Sequence, residues 1–91
     1  MEYSYIHFVK TIILTHAAAR DLDKLPADIR GVITEATAAY AVTGQGDVKK
    51  LAGREGYRMR VGSYRILFTE DAAIILIVYV GRRSTTIYRR N

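Results

Sequence analysis

The chain has 91 residues, 49% of them hydrophobic and 25% charged, with no cysteine and a net charge of +5. That balance suits one packed domain spanning residues 1–91 and excludes a disordered polymer; the missing cysteines exclude disulfides, thiolate metal sites and cysteine nucleophiles and suit a reducing cytoplasm. The positive charge suits nucleic acid, a ribosome surface or an acidic protein as partner.

In chain order, Ile6 to Leu14 is rich in β-branched and aromatic residues and reads as a first strand. Glu2 and Lys10 interrupt the N-terminal stretch, so no secretory signal is expected in it. Thr15 is placed to cap a short helix running to about Lys24, with Ala18, Leu22 and Leu25 on one face. Pro26 breaks that helix and opens a second one reaching about Val42, whose apolar stripe is Ile29, Val32, Ile33, Ala36 and Tyr40, with Glu35 on its polar side. Gly44-Gln45-Gly46-Asp47 ends the helix and starts a loop that passes Gly53 and Gly56. Tyr57–Val61, Tyr64–Phe68 and Ile74–Val80 then read as a three-stranded antiparallel meander. Gly62-Ser63 puts glycine first in a two-residue hairpin turn, as type II′ requires, and residues 70–73 form the next turn. The longest apolar run, Ala72 to Val80, has nine residues. A membrane helix needs about 20, so the run is expected to be the central strand, covered on both faces and ended by Gly81. The fold class is therefore α+β: a strand, a two-helix hairpin and a meander.

The chemistry gathers in two segments. Arg54, Arg58, Arg60 and Arg65 in the first, with Arg82, Arg83, Arg89 and Arg90 in the last ten residues, make up more than half of the 14 basic residues. If Gly62 and Ser63 form the turn, Val61 opposes Tyr64 and Arg60 opposes Arg65. The strand period of two then puts Tyr57, Met59, Val61, Tyr64, Ile66 and Phe68 on the inner face and Arg58, Arg60 and Arg65 on the other. Like charges directly across a strand pair repel. The arrangement is favourable where an anion sits between them, and a phosphate is the natural one, since guanidinium groups grip it through two oxygens. Glu55 and Glu70 are the acids near enough in sequence to neutralise part of the patch. His7 and His16 lack ligand spacing, Gly53-x-x-Gly56 lacks the lysine of a phosphate-binding loop, and Ser63 and Ser84 have no partners for nucleophilic chemistry. Tyr3, Tyr5, Tyr40 and Tyr79 are expected in the core or at its rim. Tyr88, between Ile87 and Arg89 in a basic tail, is a candidate functional tyrosine.

The stretch from Leu51 to Phe68, with Leu51-x-Gly53 followed by Tyr57-Arg58-x-Arg60-x-Gly62-x-Tyr64-Arg65, resembles the central segment of RelE/ParE superfamily toxins. Ala17 to Arg30, with Arg20-Asp21-Leu22-Asp23-Lys24-Leu25-Pro26, is similar to their helical hairpin, and Val80-Gly81-Arg82-Arg83 with Ile87-Tyr88-Arg89 to their C-terminal signature. The resemblance implies an α+β fold and a toxin held inactive by a cognate antitoxin. For RelE-like members it further implies a metal-independent, ribosome-dependent messenger RNA endoribonuclease; for ParE-like members, inhibition of DNA gyrase by protein binding without nuclease activity. The RelE-like positions fall on Arg58 and Arg60, on Arg65, on Arg83 or else Arg82, and on Tyr88 as the catalytic set. Arg54, Arg82, Arg89 and Arg90 are left to bind RNA. The sequence departs from many RelE-like members in carrying arginine where they have lysine at the first pair. No cofactor is implied.

Overall fold

Residues 9–83 are described by a computed structural model. Within them run β1 (Thr11–Leu14), α1 (His16–Asp23), α2 (Ala27–Thr43), β2 (Val48–Lys50), β3 (Tyr57–Val61), β4 (Tyr64–Glu70) and β5 (Ile74–Arg82). The local signals act where the sequence puts them. Thr15 Oγ1 accepts the amide hydrogen of Ala18 at 3.1 Å and starts α1. Pro26 stands at the N-cap of α2, and Gly44 closes that helix at φ 76°, a left-handed geometry that costs glycine little. Gly62 takes φ 56° while, among the described residues, no residue other than glycine has a positive φ, which fits glycine at the first turn position and Ser63 at the second.

The strands form one sheet in the order β1-β5-β4-β3-β2. β1 runs parallel to β5, and the other neighbours are antiparallel. Ala18 of α1 and Ile33 and Ala41 of α2 pack with Met59, Ile66, Phe68, Ile75, Ile77 and Val80 to make the core. Phe68, 1% exposed, meets the Tyr40 ring edge-on at 5.5 Å and stacks on Tyr57 at 5.6 Å. Burying such a side chain contributes about 1.5–3 kcal/mol, so this face holds the two helices to the sheet.

Four expectations need correction. A short strand, β2, lies where a loop was read, because three residues with two exposed lysines carry too little pattern to announce an edge strand. The centre of the sheet is β4, with β5 beside it; the apolar run of β5 buries Ile75, Ile77 and Val80, whereas Ile74 stays exposed. Gly81 lies inside β5, which continues to Arg82. On α2, Val32 is 54% exposed, and Thr37 and Ala41 are buried instead; the stripe runs down Ile33, Thr37 and Ala41 at four-residue steps. The Thr37 hydroxyl is satisfied within the helix by the Thr34 carbonyl at 3.0 Å. Residues 6–8 of the expected first strand lie outside the described residues.

A bulge then decides what β5 presents. Leu67 pairs with Tyr79 but Phe68 pairs with Ile77, so Val78 is the extra residue. Ile75 and Ile77 face the helices before the bulge and Val80 after it. Tyr79 and Gly81 are thereby turned to the opposite face. β1 pairs only as far as Ile77, and beyond its end the Val80 amide donates to the Asp21 carboxylate of α1 at 3.1 Å. A helix side chain thus finishes the edge of the sheet where a strand stops.

Candidate functional site

The hairpin register places the arginines as the two-residue period requires. Arg60 pairs directly with Arg65, Val61 with Tyr64, and Arg58 with Leu67. With Met59, Ile66 and Phe68 in the core, Arg58, Arg60 and Arg65 share the face turned away from the helices. Across the next strand pair, Gly81 opposes Arg65 and Tyr79 opposes Leu67. Arg83, past the end of β5, folds back on the turn: its amide donates to the Ser63 carbonyl at 2.7 Å and its Nη1 to the Gly62 carbonyl at 3.0 Å. Arg82 pairs with Tyr64 instead, its guanidinium 5.7 Å from the ring centroid and its Nη1 3.5 Å from the hydroxyl. Ser63, Arg65, Arg82 and Arg83 line a shallow open depression of about 340 Å³.

Among the described residues, a counter-ion for Arg58 and Arg60 comes from an unexpected place. Asp47, just ahead of β2, lies 3.2 Å from Arg60 Nε through Oδ2 and 3.6 Å from Arg58 Nη1 through Oδ1. Its carbonyl also accepts the Arg60 amide hydrogen at 3.0 Å. Glu55 and Glu70 were the acids expected here. Glu55 is exposed in the β2–β3 loop. Glu70 is engaged elsewhere: it accepts from the Tyr40 hydroxyl at 2.9 Å and sits 3.3 Å from Lys10 Nζ. Burial, and next the hydrogen bond to Glu70, push the Tyr40 phenol up to about 12. The Arg58 side chain is 14% exposed but Asp47 is 52% exposed, so the carboxylate can swing into water. An ion pair with so exposed a partner contributes about 0–1 kcal/mol and yields readily to a stronger anion.

Other expected residues divide. Arg54 is exposed in the β2–β3 loop and does not line the depression. His16 is exposed at the start of α1, and Glu35 is exposed on α2. Tyr88, Arg89 and Arg90, with His7, Ser84, Tyr3 and Tyr5, lie outside the described residues. Among the described residues, no three His, Asp or Glu side chains gather into a possible metal site, and no helix is long and apolar enough to cross a membrane. Asp47 and Tyr79 were not singled out for this face. An aspartate ahead of a Val-Lys-Lys edge strand is the signal that points to the first. Nothing in an unbroken apolar run announces the bulge that exposes the second.

A two-helix layer on a mixed sheet, with arginines from neighbouring strands on the side away from the helices, defines a small cationic domain of α+β class. A family model described as the ParE toxin of type II toxin-antitoxin system, parDE, matches residues 12–87. The chain belongs to that family, within the RelE/ParE superfamily, and is a toxin of the type II toxin-antitoxin class. Among solved structures, it is similar to the toxin-antitoxin complex RelBE2 from Mycobacterium tuberculosis at 30% identity and a TM-score of 0.72, covering 86% of this chain and 95% of that one. The RelB-RelE complex from Methanococcus jannaschii matches at 26% identity and a TM-score of 0.70, over 87% of this chain and 98% of the other. The YoeB dimer from Staphylococcus aureus shares the fold at 21% identity and a TM-score of 0.65, over 78% and 93%. No curated protein matches the chain.

Proposed function

We propose that this toxin is a cytoplasmic, ribosome-dependent messenger RNA endoribonuclease whose active face is the arginine side of the sheet. The observation that supports this reading is Arg60 directly opposite Arg65, beside a depression lined by Ser63, Arg65, Arg82 and Arg83. Such a pair repels unless an anion lies over it. Asp47 meets that need at the Arg58–Arg60 end in the free protein, and an RNA phosphate would take its place.

The reaction is attack of a ribose 2′-oxygen on the adjacent phosphorus. The bond from phosphorus to the 5′-oxygen breaks, leaving a 2′,3′-cyclic phosphate and a 5′-hydroxyl. Tyr88 takes the 2′-hydroxyl proton, acting as a phenolate favoured by neighbouring arginines, and the leaving 5′-oxygen takes a proton from solvent. Arg65 and Arg83 hold the negative charge that builds on the phosphate. Arg83 suits this role better than Arg82. The turn carbonyls anchor Arg83 beside the depression, whereas Arg82 leans on Tyr64. Arg58 and Arg60 add electrostatic support, and Arg54, Arg82, Arg89 and Arg90 hold the flanking strand. Groups this weak as acids and bases suit an enzyme whose substrate is positioned by the ribosome. The complexes of RelB with RelE among its structural relatives support a cognate antitoxin as the partner that silences it.

Expression in growing cells followed by mapping of transcript ends tests the proposal. Wild type should cut translated transcripts, Arg65→Ala should cut about 10²–10³-fold less, and Tyr88→Phe should also fall. Undiminished cutting by Arg65→Ala removes the assigned role. A second reading is favoured by the family match itself, which carries the name of parDE toxins. In that case the chain binds and inhibits DNA gyrase; supercoiling is lost while transcripts stay whole.

A further inference from the structure

Tyr79 was expected to be core or rim, and the fold places it elsewhere. Its partner across the sheet is Leu67, which pairs on its other side with Arg58 and stands two residues along β4 from Arg65. The bulge at Val78 is what turns it there; an unbroken strand would set Tyr79 on the same side as Ile77, against the helices. The side chain then leans along β5 over Gly81. A Cβ added at Gly81 would run into the Tyr79 hydroxyl and ring, so the phenol lies over the Gly81 backbone. Gly81 is the residue directly opposite Arg65. The Tyr79 hydroxyl is therefore delivered to the strand position beside Arg65, which is one of the residues lining the depression. Among the described residues it has no hydrogen-bond partner, and the residue is only half-buried.

We propose that Tyr79 contacts the substrate, its hydroxyl donating a hydrogen bond to a non-bridging oxygen of the phosphate held by Arg65. The inference rests on the ribonuclease reading and deepens it. Guanidinium groups alone supply charge from the β3 and β4 side of the phosphate. A phenol standing over Gly81 approaches from β5 and fixes the orientation of the group. Gly81 is the second half of the device, since any side chain at that position displaces the ring.

Single-turnover cleavage of a messenger RNA on programmed ribosomes tests this with the full chain. Tyr79→Phe keeps the ring and removes the donor; it should lower the rate about tenfold with an unchanged melting temperature. Gly81→Ala should lower it similarly by moving the ring. Added to Arg65→Ala, the Tyr79→Phe change should cost much less than tenfold, because both groups serve one phosphate. That coupling is not expected of a residue that merely packs. A wild type that leaves the message whole overturns the ribonuclease reading and this inference together. A cutting wild type matched by Tyr79→Phe overturns this inference alone. So does a Tyr79→Phe protein that melts lower and regains full rate when assayed well below its melting temperature, which makes the role structural.

Discussion

The two faces of the sheet are built from the same strands to opposite ends. Toward the helices, Met59, Ile66, Phe68, Ile75, Ile77 and Val80 interlock with Ala18, Ile33 and Ala41. On the far side, Arg58, Arg60 and Arg65 stand in neighbouring positions with Tyr79 and Gly81 beside them. The first face gains stability from every residue it hides. The second sets Arg60 directly opposite Arg65 and places Asp47, a carboxylate half in water, against Arg60. A strand period of two writes both faces at once, so a change at one residue should move stability or activity according to its parity.

Truncation in the packed face should give the largest effect. Phe68→Ala is expected to destabilise the fold by about 3–5 kcal/mol, measured by urea unfolding. Should it cost less than 1 kcal/mol, the helices are not held by this face. Asp21→Ala comes next, at about 2 kcal/mol, because it strands the Val80 amide beyond the end of β1. It also sharpens the comparison, since Asp21 lies on the packed side yet fixes the segment that carries Tyr79, Gly81 and Arg83. Its loss of activity should exceed that of a core variant of equal stability, such as one at Ile33. Equal losses would mean that β5 is placed by packing alone.

Tyr40 sits where the core meets charge, and its predicted effect is smaller, about 1 kcal/mol for Tyr40→Phe at neutral pH. The phenol is pushed up from 10.0 to about 12 in the fold, first by burial and next by its bond to Glu70. A raised value means that the neutral phenol is the form the fold favours. Its contribution is whole below pH 10.0 and is lost as pH climbs through about 12. Melting temperatures recorded across that window should fall more steeply for wild type than for Tyr40→Phe. Parallel curves would place the alkaline loss at another group.

How much of this was legible follows from which residues alternate. Tyr57 to Val61 and Tyr64 to Ile66 alternate cleanly, and with Gly62 first in the turn they fixed the register, the shared arginine face and the pairing of Arg60 with Arg65. Helix ends were legible because Thr15, Pro26 and Gly44 each act through their own backbone. β5 was legible as a strand but not in its facing, since Ile74 to Val80 is apolar on both parities and a bulge leaves no mark in such a run. β2 was hidden by its length and its lysines. Asp47 was hidden by distance: it lies thirteen residues from Arg60 in sequence, and only the pairing of β2 with β3 brings it to 3.2 Å. Among candidate residues, Arg58, Arg60 and Arg65 fall on the sheet, and Arg82 and Arg83, read as the start of a tail, fall at the end of β5, while Tyr88 lies outside the described residues.

The smallest effect bears most directly on the charged face. Asp47→Asn keeps the shape of the side chain and removes the charge that rests on Arg58 and Arg60. With Asp47 so exposed, stability should change by less than about 1 kcal/mol. Binding of a short single-stranded RNA should tighten about two- to fivefold at low salt, since the phosphate no longer displaces a resident carboxylate. The gain should shrink as salt rises and screens the contacts. Binding isotherms at two salt concentrations measure both. Weaker binding by Asp47→Asn would reverse the argument: Asp47 would then be holding Arg58 and Arg60 in the posture that grips RNA, and the repulsion on this face would be resolved before any nucleic acid arrives.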